Sequence, residues 1–371
     1  MHASAKPKLL CIVQLPPPVH GASLVNASVV SSEQLASAVD VEVLPLEFAD
    51  SIADIGRPSA RKLARTLSTT ARLAWRLLRD RPDAAYFTIS PVGGAFYRDC
   101  VFVAVLKTFR VPRIYHLHGK GISQRLDKRW RRGLYAWAFR GAAVIHLSPT
   151  IAESRELVPA DQIDFVPNGV EDVARAAIAR ASRERPKVLF LSNIVAEKGV
   201  LVLAQALDAL AARGVAFEAT FAGSPGNAAC VRALEELCAR HPGQIRYVGP
   251  VFGAQKLALL RDHDVFAFPT YYAQEAFPLV VLEAMQFGLP VVATPEGAIP
   301  DMVGDGDNGY LVAQHDVDAL ARRLEELLVD ADLRARFSRR SRERYEQSYT
   351  FEHFERGITE VLARRAAPRR P

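Results

Sequence analysis

Short apolar runs alternate with amphipathic stretches along almost the whole chain. In the first half, Leu9–Val13, Val41–Leu44, Ala84–Ile89, Arg113–Leu117 and Ala143–Leu147 read as buried strands, and helical stretches fall near 22–38, 60–80, 94–108 and 123–140. A second series begins at Lys187–Leu191 and runs through Ala219–Ala222, Ile245–Val248, Val265–Phe268 and Val291–Thr294. Its helices fall near 200–212, 228–240, 254–262, 278–287 and 316–329. Strands apolar on both faces and joined by helices form parallel sheets covered on both sides. Two such series predict an α/β chain of two doubly wound domains, 1–170 and 187–348, joined by a polar, Ala/Arg-rich stretch around 171–186. Open parallel sheets take ligands beyond the carboxyl ends of their strands, where strand order reverses. The two domains are therefore expected to face each other across a cleft, with functional residues just after strands.

Composition narrows the class. The chain has 371 residues, 49% apolar and 24% charged, which excludes a disordered or fibrous protein. The apolar start, Leu9–Val13, is too short for a membrane span or a signal-peptide core. Cys11, Cys100, Cys230 and Cys238 form no C-x-x-C pair, and the first three sit inside apolar patterns. They read as thiols of a reducing, cytoplasmic compartment.

Charge is unevenly spread. Up to Ile178 there are 23 Lys and Arg against 16 Asp and Glu, whereas the remainder has 24 against 25. The excess lies in Arg57–Arg81 and Lys120–Arg132. Both carry apolar residues at helical spacing: Leu63, Leu67, Ala71, Ala74, Trp75 and Leu78 in the first, Leu126, Trp130 and Leu134 in the second. Basic amphipathic helices of this kind lie on an anionic membrane or bind nucleic acid, and they also serve as solvated cover for a sheet. No nucleic-acid recognition module is visible, so no nucleic-acid partner is expected. Peripheral attachment to an anionic membrane, at the inner face of the cell membrane, and solvated cover for the sheet both stay open.

Familiar motifs are missing. The first strand runs into Gln14-Leu15-Pro16-Pro17-Pro18-Val19-His20-Gly21, which is no dinucleotide fingerprint; Gly119-Lys120 is no P-loop, and no G-x-S-x-G elbow occurs. The informative segment is Tyr272–Pro290. Pro278 suits a first helical position, and Gly288 with Pro290 closes the helix. Glu275 then falls in the loop before the helix and Glu283 on it, among apolar residues where a carboxylate must be paired or hydrogen-bonded. Free amides at the helix start form an anion site, and carboxylates beside it can hold hydroxyls. That combination suits a sugar nucleotide. Taken alone, the spacing equally fits a helix start with a nearby acid and one internal salt-bridged Glu.

These residues resemble the retaining glycosyltransferases of family four. The Glu275-x7-Glu283 spacing, Phe277-Pro278-Leu279, Gly288-Leu289-Pro290, Gly297-Ala298-Ile299-Pro300-Asp301 and Asn308-Gly309-Tyr310 follow in the family's order, with Glu197-Lys198-Gly199 and Asn168-Gly169-Val170 upstream. The Pro-Pro-Pro-Val-His-Gly-Ala-Ser run is similar to members that build bacterial surface polysaccharides. The resemblance implies a GT-B fold, two Rossmann-like domains facing across a cleft, with a terminal helix over 350–371 returning to the first. It implies a hexosyltransferase that moves a sugar from a nucleotide-sugar, UDP- or GDP-linked, to a glycan or lipid-linked acceptor.

It also implies roles for residues. Glu275 would meet donor-sugar hydroxyls, Glu283 the ribose, and Lys198 the diphosphate. The amides around Phe277, Leu279 and Val280 would complete the cradle, Gly21 would let backbone approach the phosphates, and His118 would contact the sugar. Asn193 stands where the family carries Arg, Ala276 where it carries Gly, and Gly21 is a single glycine where a pair is usual. With Asn193 uncharged, the phosphate clamp rests on Lys198 and the helix dipole. No Asp-x-Asp motif sits at a strand end, so no metal and no cofactor are expected, the donor being a substrate. Two other readings stay open: a sugar-nucleotide epimerase on the same fold, and a basic nucleic-acid-binding protein.

Overall fold

The computed structural model describes residues 6–17, 21–46, 60–174 and 183–367. The chain divides into one unit of Met1–Asn168 with Glu352–Pro371 and a second of Gly169–Phe351. In the first, strands β1 (Lys8–Val13), β2 (Asp40–Pro45), β3 (Ala84–Phe87), β4 (Arg113–Leu117), β5 (Ala142–His146) and β6 (Ile163–Phe165) form a parallel sheet in the order β2-β1-β3-β4-β5-β6. Helices α1 (Gly21–Val30), α2 (Glu33–Ala38), α3 (Ala60–Arg79), α4 (Gly93–Thr108) and α5 (Arg129–Phe139) connect them. The single helix expected over 22–38 is two, because Ser32 stops and restarts it: its Oγ accepts from Leu35 N at 3.0 Å as an N-cap.

One sheet face is settled by register. Ile12 pairs with Phe87, Phe87 with Tyr115 and Tyr115 with Val144. Their side chains share a core with Leu73 and Leu77 of α3, Phe96, Val103 and Leu106 of α4, and Tyr135, Ala138 and Phe139 of α5. Helices α3, α4 and α5 thus form one layer over one face.

The second unit repeats the plan. Strands β7 (Lys187–Leu191), β8 (Glu218–Ala222), β9 (Ile245–Tyr247), β10 (Val265–Phe268), β11 (Val291–Ala293) and β12 (Gly309–Leu311) form a parallel sheet in the order β12-β11-β10-β7-β8-β9. Between and after them run α6 (Val200–Ala212), α7 (Ala228–Arg240), α8 (Gly253–Asp262), α9 (Leu279–Gln286), α10 (Ile299–Met302), α11 (Val317–Val329) and α12 (Ala331–Ser348). Strand order reverses between β7 and β10, so the loops after these two strands frame the expected ligand position.

Residues 169–174 are tied to this second unit: Tyr345 Oη donates to Val170 O at 2.8 Å and Arg342 forks onto Asp172. The final helix, α13 (Phe351–Ala366), belongs with the first unit from Glu352 onward. Ser32 Oγ donates to Glu355 at 2.6 Å, and Arg364 and Arg365 both bond Asp164, the latter at 2.8 Å.

Strands β6 and β12 and helix α12 lay outside the sequence expectation. The two strands are three residues each, and α12 buries few side chains, among them Phe337 and Tyr345, against a mostly charged surface.

Candidate functional site

The site in the second unit is assembled by close backbone approach. Gly199 ends the turn after β7 with φ +81°, and a Cβ there would lie 2.0 Å from Pro269 O in the loop after β10. Only glycine permits both the conformation and the approach. Tyr271 N donates to Glu197 O at 2.8 Å and Thr270 Oγ1 to the same carbonyl at 3.2 Å, strapping the two loops together. From the other side, Gly297 (φ +59°) packs where a Cβ would meet Glu275 O at 2.2 Å, and Ala298 N donates to Ala276 O at 2.8 Å.

This strapping brings together two of the residues that the sequence singled out. Lys198 Nζ lies 2.5 Å from Glu275 Oε2, with the side chains 18% and 12% exposed. The ammonium also sits 4.7 Å from the ring centre of Tyr272 and 5.7 Å from that of Phe268. Glu283 does not join that pair. Five residues into α9, it accepts from Lys256 Nζ at 2.7 Å. It is therefore paired, as its position required. Lys256 was not among the sequence candidates; the hint was that Glu283 demanded a cation.

Helix α9 starts one residue later than expected. Pro278, with ψ 107°, is its N-cap rather than its first helical residue, and no side chain caps it. Val281 N turns back onto Pro278 O at 3.0 Å, while the amides of Leu279 and Val280, the first in the helix, have no acceptor within it. Phe277 is buried edge-on to Tyr349. Asn193 lies exposed in the β7 loop, where its carbonyl accepts from Val195 N at 2.9 Å; among the described residues its side chain takes no partner. The arrangement offers two lysine–carboxylate pairs, Lys198 with Glu275 and Lys256 with Glu283, and two amides with no acceptor inside the helix. That set can neutralise an anion and accept hydroxyl hydrogen bonds beside it.

Gly21 and His118 belong to the first unit. Gly21 is the exposed first residue of α1; residues 18–20 before it lie outside the described part. His118 follows β4, one residue beyond the strand's end, its ring 4.0 Å from that of His116. Beneath it, the buried Tyr86 hydroxyl and His116 Nδ1 are 2.7 Å apart, and burial pushes the His116 pKa well below its ordinary value. On the neighbouring strand, His146 Nε2 meets Ser154 Oγ at 2.7 Å, and burial lowers its pKa to about 4. Both imidazoles are neutral at physiological pH.

Residues 175–344 match the family model described as glycosyl transferases group 1. Among curated relatives, a phosphatidyl-myo-inositol mannosyltransferase of Mycolicibacterium smegmatis is 36% identical over 194 residues, covering 51% of this chain and 48% of the relative. The chain spans about half the length of the curated relatives it matches, 48%, 58% and 44% for three of them. Among solved structures, Anabaena Alr3699/HepE in complex with UDP and glucose superposes with a TM-score of 0.69 at 20% identity, covering 96% of this chain and 99% of that one. The lipopolysaccharide outer core galactosyltransferase WaaB, in its apo form, superposes at 0.72 with 16% identity over 96% and 99%. The fold is that of the GT-B glycosyltransferases, two parallel-sheet Rossmann-like units, and the matched segment of the second unit falls in glycosyl transferases group 1.

Proposed function

We propose that this chain is a retaining hexosyltransferase that moves a sugar from a nucleotide-sugar, UDP- or GDP-linked, to a glycan or lipid-linked acceptor in cell-surface polysaccharide synthesis. The observation that carries the reading is the Lys198–Glu275 contact at the strand-order switch, beside the open amides of α9. The relative that acts as a mannosyltransferase, the structure holding UDP and glucose, and the galactosyltransferase of the lipopolysaccharide core support it. Relatives that transfer sugars do not favour the epimerase reading.

In this reading the donor divides the ion pair. The Lys198 ammonium turns to the diphosphate, shared with the amides of Leu279 and Val280, and the freed Glu275 carboxylate accepts from sugar hydroxyls. Glu283, oriented by Lys256, accepts from the ribose hydroxyls. As the bond between the anomeric carbon and the diphosphate oxygen breaks, the acceptor oxygen bonds that carbon on the same face. The departing phosphate oxygen takes the acceptor's proton. Lys198 and the amides stabilise the charge that develops, so no metal ion is required. Gly21 is assigned to the phosphates and His118 to the sugar. The four free thiols fit a cytoplasmic site of action. Among the described residues, no helix is long and apolar enough to cross a membrane.

Calorimetry against UDP-, GDP-, ADP- and dTDP-sugars tests the reading. Binding of one class, with turnover to an acceptor-linked product, is expected; binding of none overturns it.

A further inference from the structure

Helix α3 carries two separate apolar stripes. Thr69, Leu73 and Leu77, four residues apart, are buried against the sheet. The apolar residues that stood out in the sequence are not. Leu63, Leu67, Trp75 and Leu78 are 63%, 61%, 57% and 73% exposed, on a stripe roughly 130° round the helix from the buried one. A third stripe carries Arg61, Arg65, Arg72, Arg76 and Arg79, and the helix contains no acid.

The same layer continues this character. Tyr97 on α4 stacks on the exposed Trp130 of α5, the centroids 6.3 Å apart, and Arg131 lies 5.3 Å from the Trp130 ring centre. Trp137, also exposed, faces Lys107 at 4.7 Å. The two basic, aromatic segments, some fifty residues apart in sequence, thus sit on helices covering one sheet face.

We infer that the outer face of α3, continued by Tyr97, Trp130 and Trp137, docks on an anionic lipid bilayer. The inference rests on the reading above only in that a lipid-linked acceptor gives the bilayer a purpose. A bilayer offers anionic headgroups directly above an apolar layer, and α3 sets arginines beside leucines and tryptophan in the matching arrangement. Tryptophan and tyrosine favour that boundary. Nucleic acid would engage the cations and stack on rings, but it gains little from three bare leucines. A second copy would set one row of arginines against another.

The test is cosedimentation of the full chain with vesicles of phosphatidylglycerol and phosphatidylcholine, and of phosphatidylcholine alone, at low and high salt. Binding is expected to the anionic vesicles only, with blue-shifted tryptophan emission, and to fall at high salt. Replacing Leu63, Leu67 and Leu78 together by Gln should weaken it roughly tenfold or more without lowering the melting temperature, since these side chains are 63%, 61% and 73% exposed. Arg72→Glu with Arg79→Glu should abolish it. Equal binding to both vesicles, no binding at low salt, or indifference to the leucine changes overturns the inference. So does a lipid-free dimer that the leucine changes dissolve. Nucleotide-sugar binding, measured on the same preparations, should be unchanged by these variants. Its absence alongside intact vesicle binding would sink the glycosyltransferase reading and leave this one standing.

Discussion

The two units share one plan, six parallel strands with helices between them, yet they furnish the ends of those strands in opposite ways. The second sets fixed charges there in pairs, Lys198 with Glu275 and Lys256 with Glu283. The first sets neutral imidazoles there, His116 and His146, which burial keeps uncharged. A charged end suits the anionic half of a donor. Neutral imidazoles suit hydroxyls and add no competing cation of their own. One architecture therefore supports two chemistries, chosen by what the loops carry and how deeply it is buried.

The comparison breaks most visibly at Lys198. Lys198→Ala should lower turnover by about 10²–10³-fold at saturating donor, the loss typical of a preorganised charge at a developing anion. A change below about tenfold in single-turnover measurements would show that the charge is supplied elsewhere. Acid should next separate the units. His116 and His146 stay neutral when folded but take up protons below about pH 6.5 when unfolded, so folding stability falls as pH drops through that range. Each imidazole contributes about 1.4 kcal/mol of loss per pH unit until its own folded pKa is reached. Among its described residues the second unit has one such group, His263, whose pKa burial lowers to about 4. Denaturant melts at pH 7 and 5.5 should show the first unit losing more, and His146→Gln should flatten its slope; equal losses would contradict the assignment.

Within the second unit the two carboxylates should part company. Glu283→Ala should weaken nucleoside-diphosphate binding by about 1–3 kcal/mol, whereas Glu275→Ala should cut turnover and leave that affinity nearly intact. Titrations giving equal affinity losses would merge the roles. The smallest expected effect is none at all: transfer should persist in excess EDTA, and activity lost there but restored by Mg²⁺ or Mn²⁺ would sink the account of Lys198 as metal substitute.

The central strands were legible because a strand buried on both faces leaves an unbroken apolar run, as Lys187–Leu191 and Val265–Phe268 do. Edge strands β6 and β12 were not: Ile163-Asp164-Phe165 and Gly309-Tyr310-Leu311 set an acid or a glycine within three residues, whereas the equally short β9 was carried by an alternation that runs on to Val248. Lys198 and Glu275 could each be picked out, but their contact spans 77 positions and depends on two strands being neighbours and on glycines that let loops touch. Lys256 is one lysine on a partly exposed helix, invisible until Glu283 is seen against it. On α3, periodicity revealed an apolar stripe without saying whether sheet or surroundings would meet it. Packing chose the shorter stripe through Thr69, Leu73 and Leu77.

The return of α13 to the first unit bears on how the protein is made. A ribosome releases residues in order, so the first unit emerges early but lacks Glu355, Arg364 and Arg365 until the second has been synthesised. Until then Asp164, 9% exposed in the finished fold, has neither arginine beside it. The second unit is continuous and can complete itself while the first still waits for its closing helix. The unit that begins first is therefore the one that finishes last.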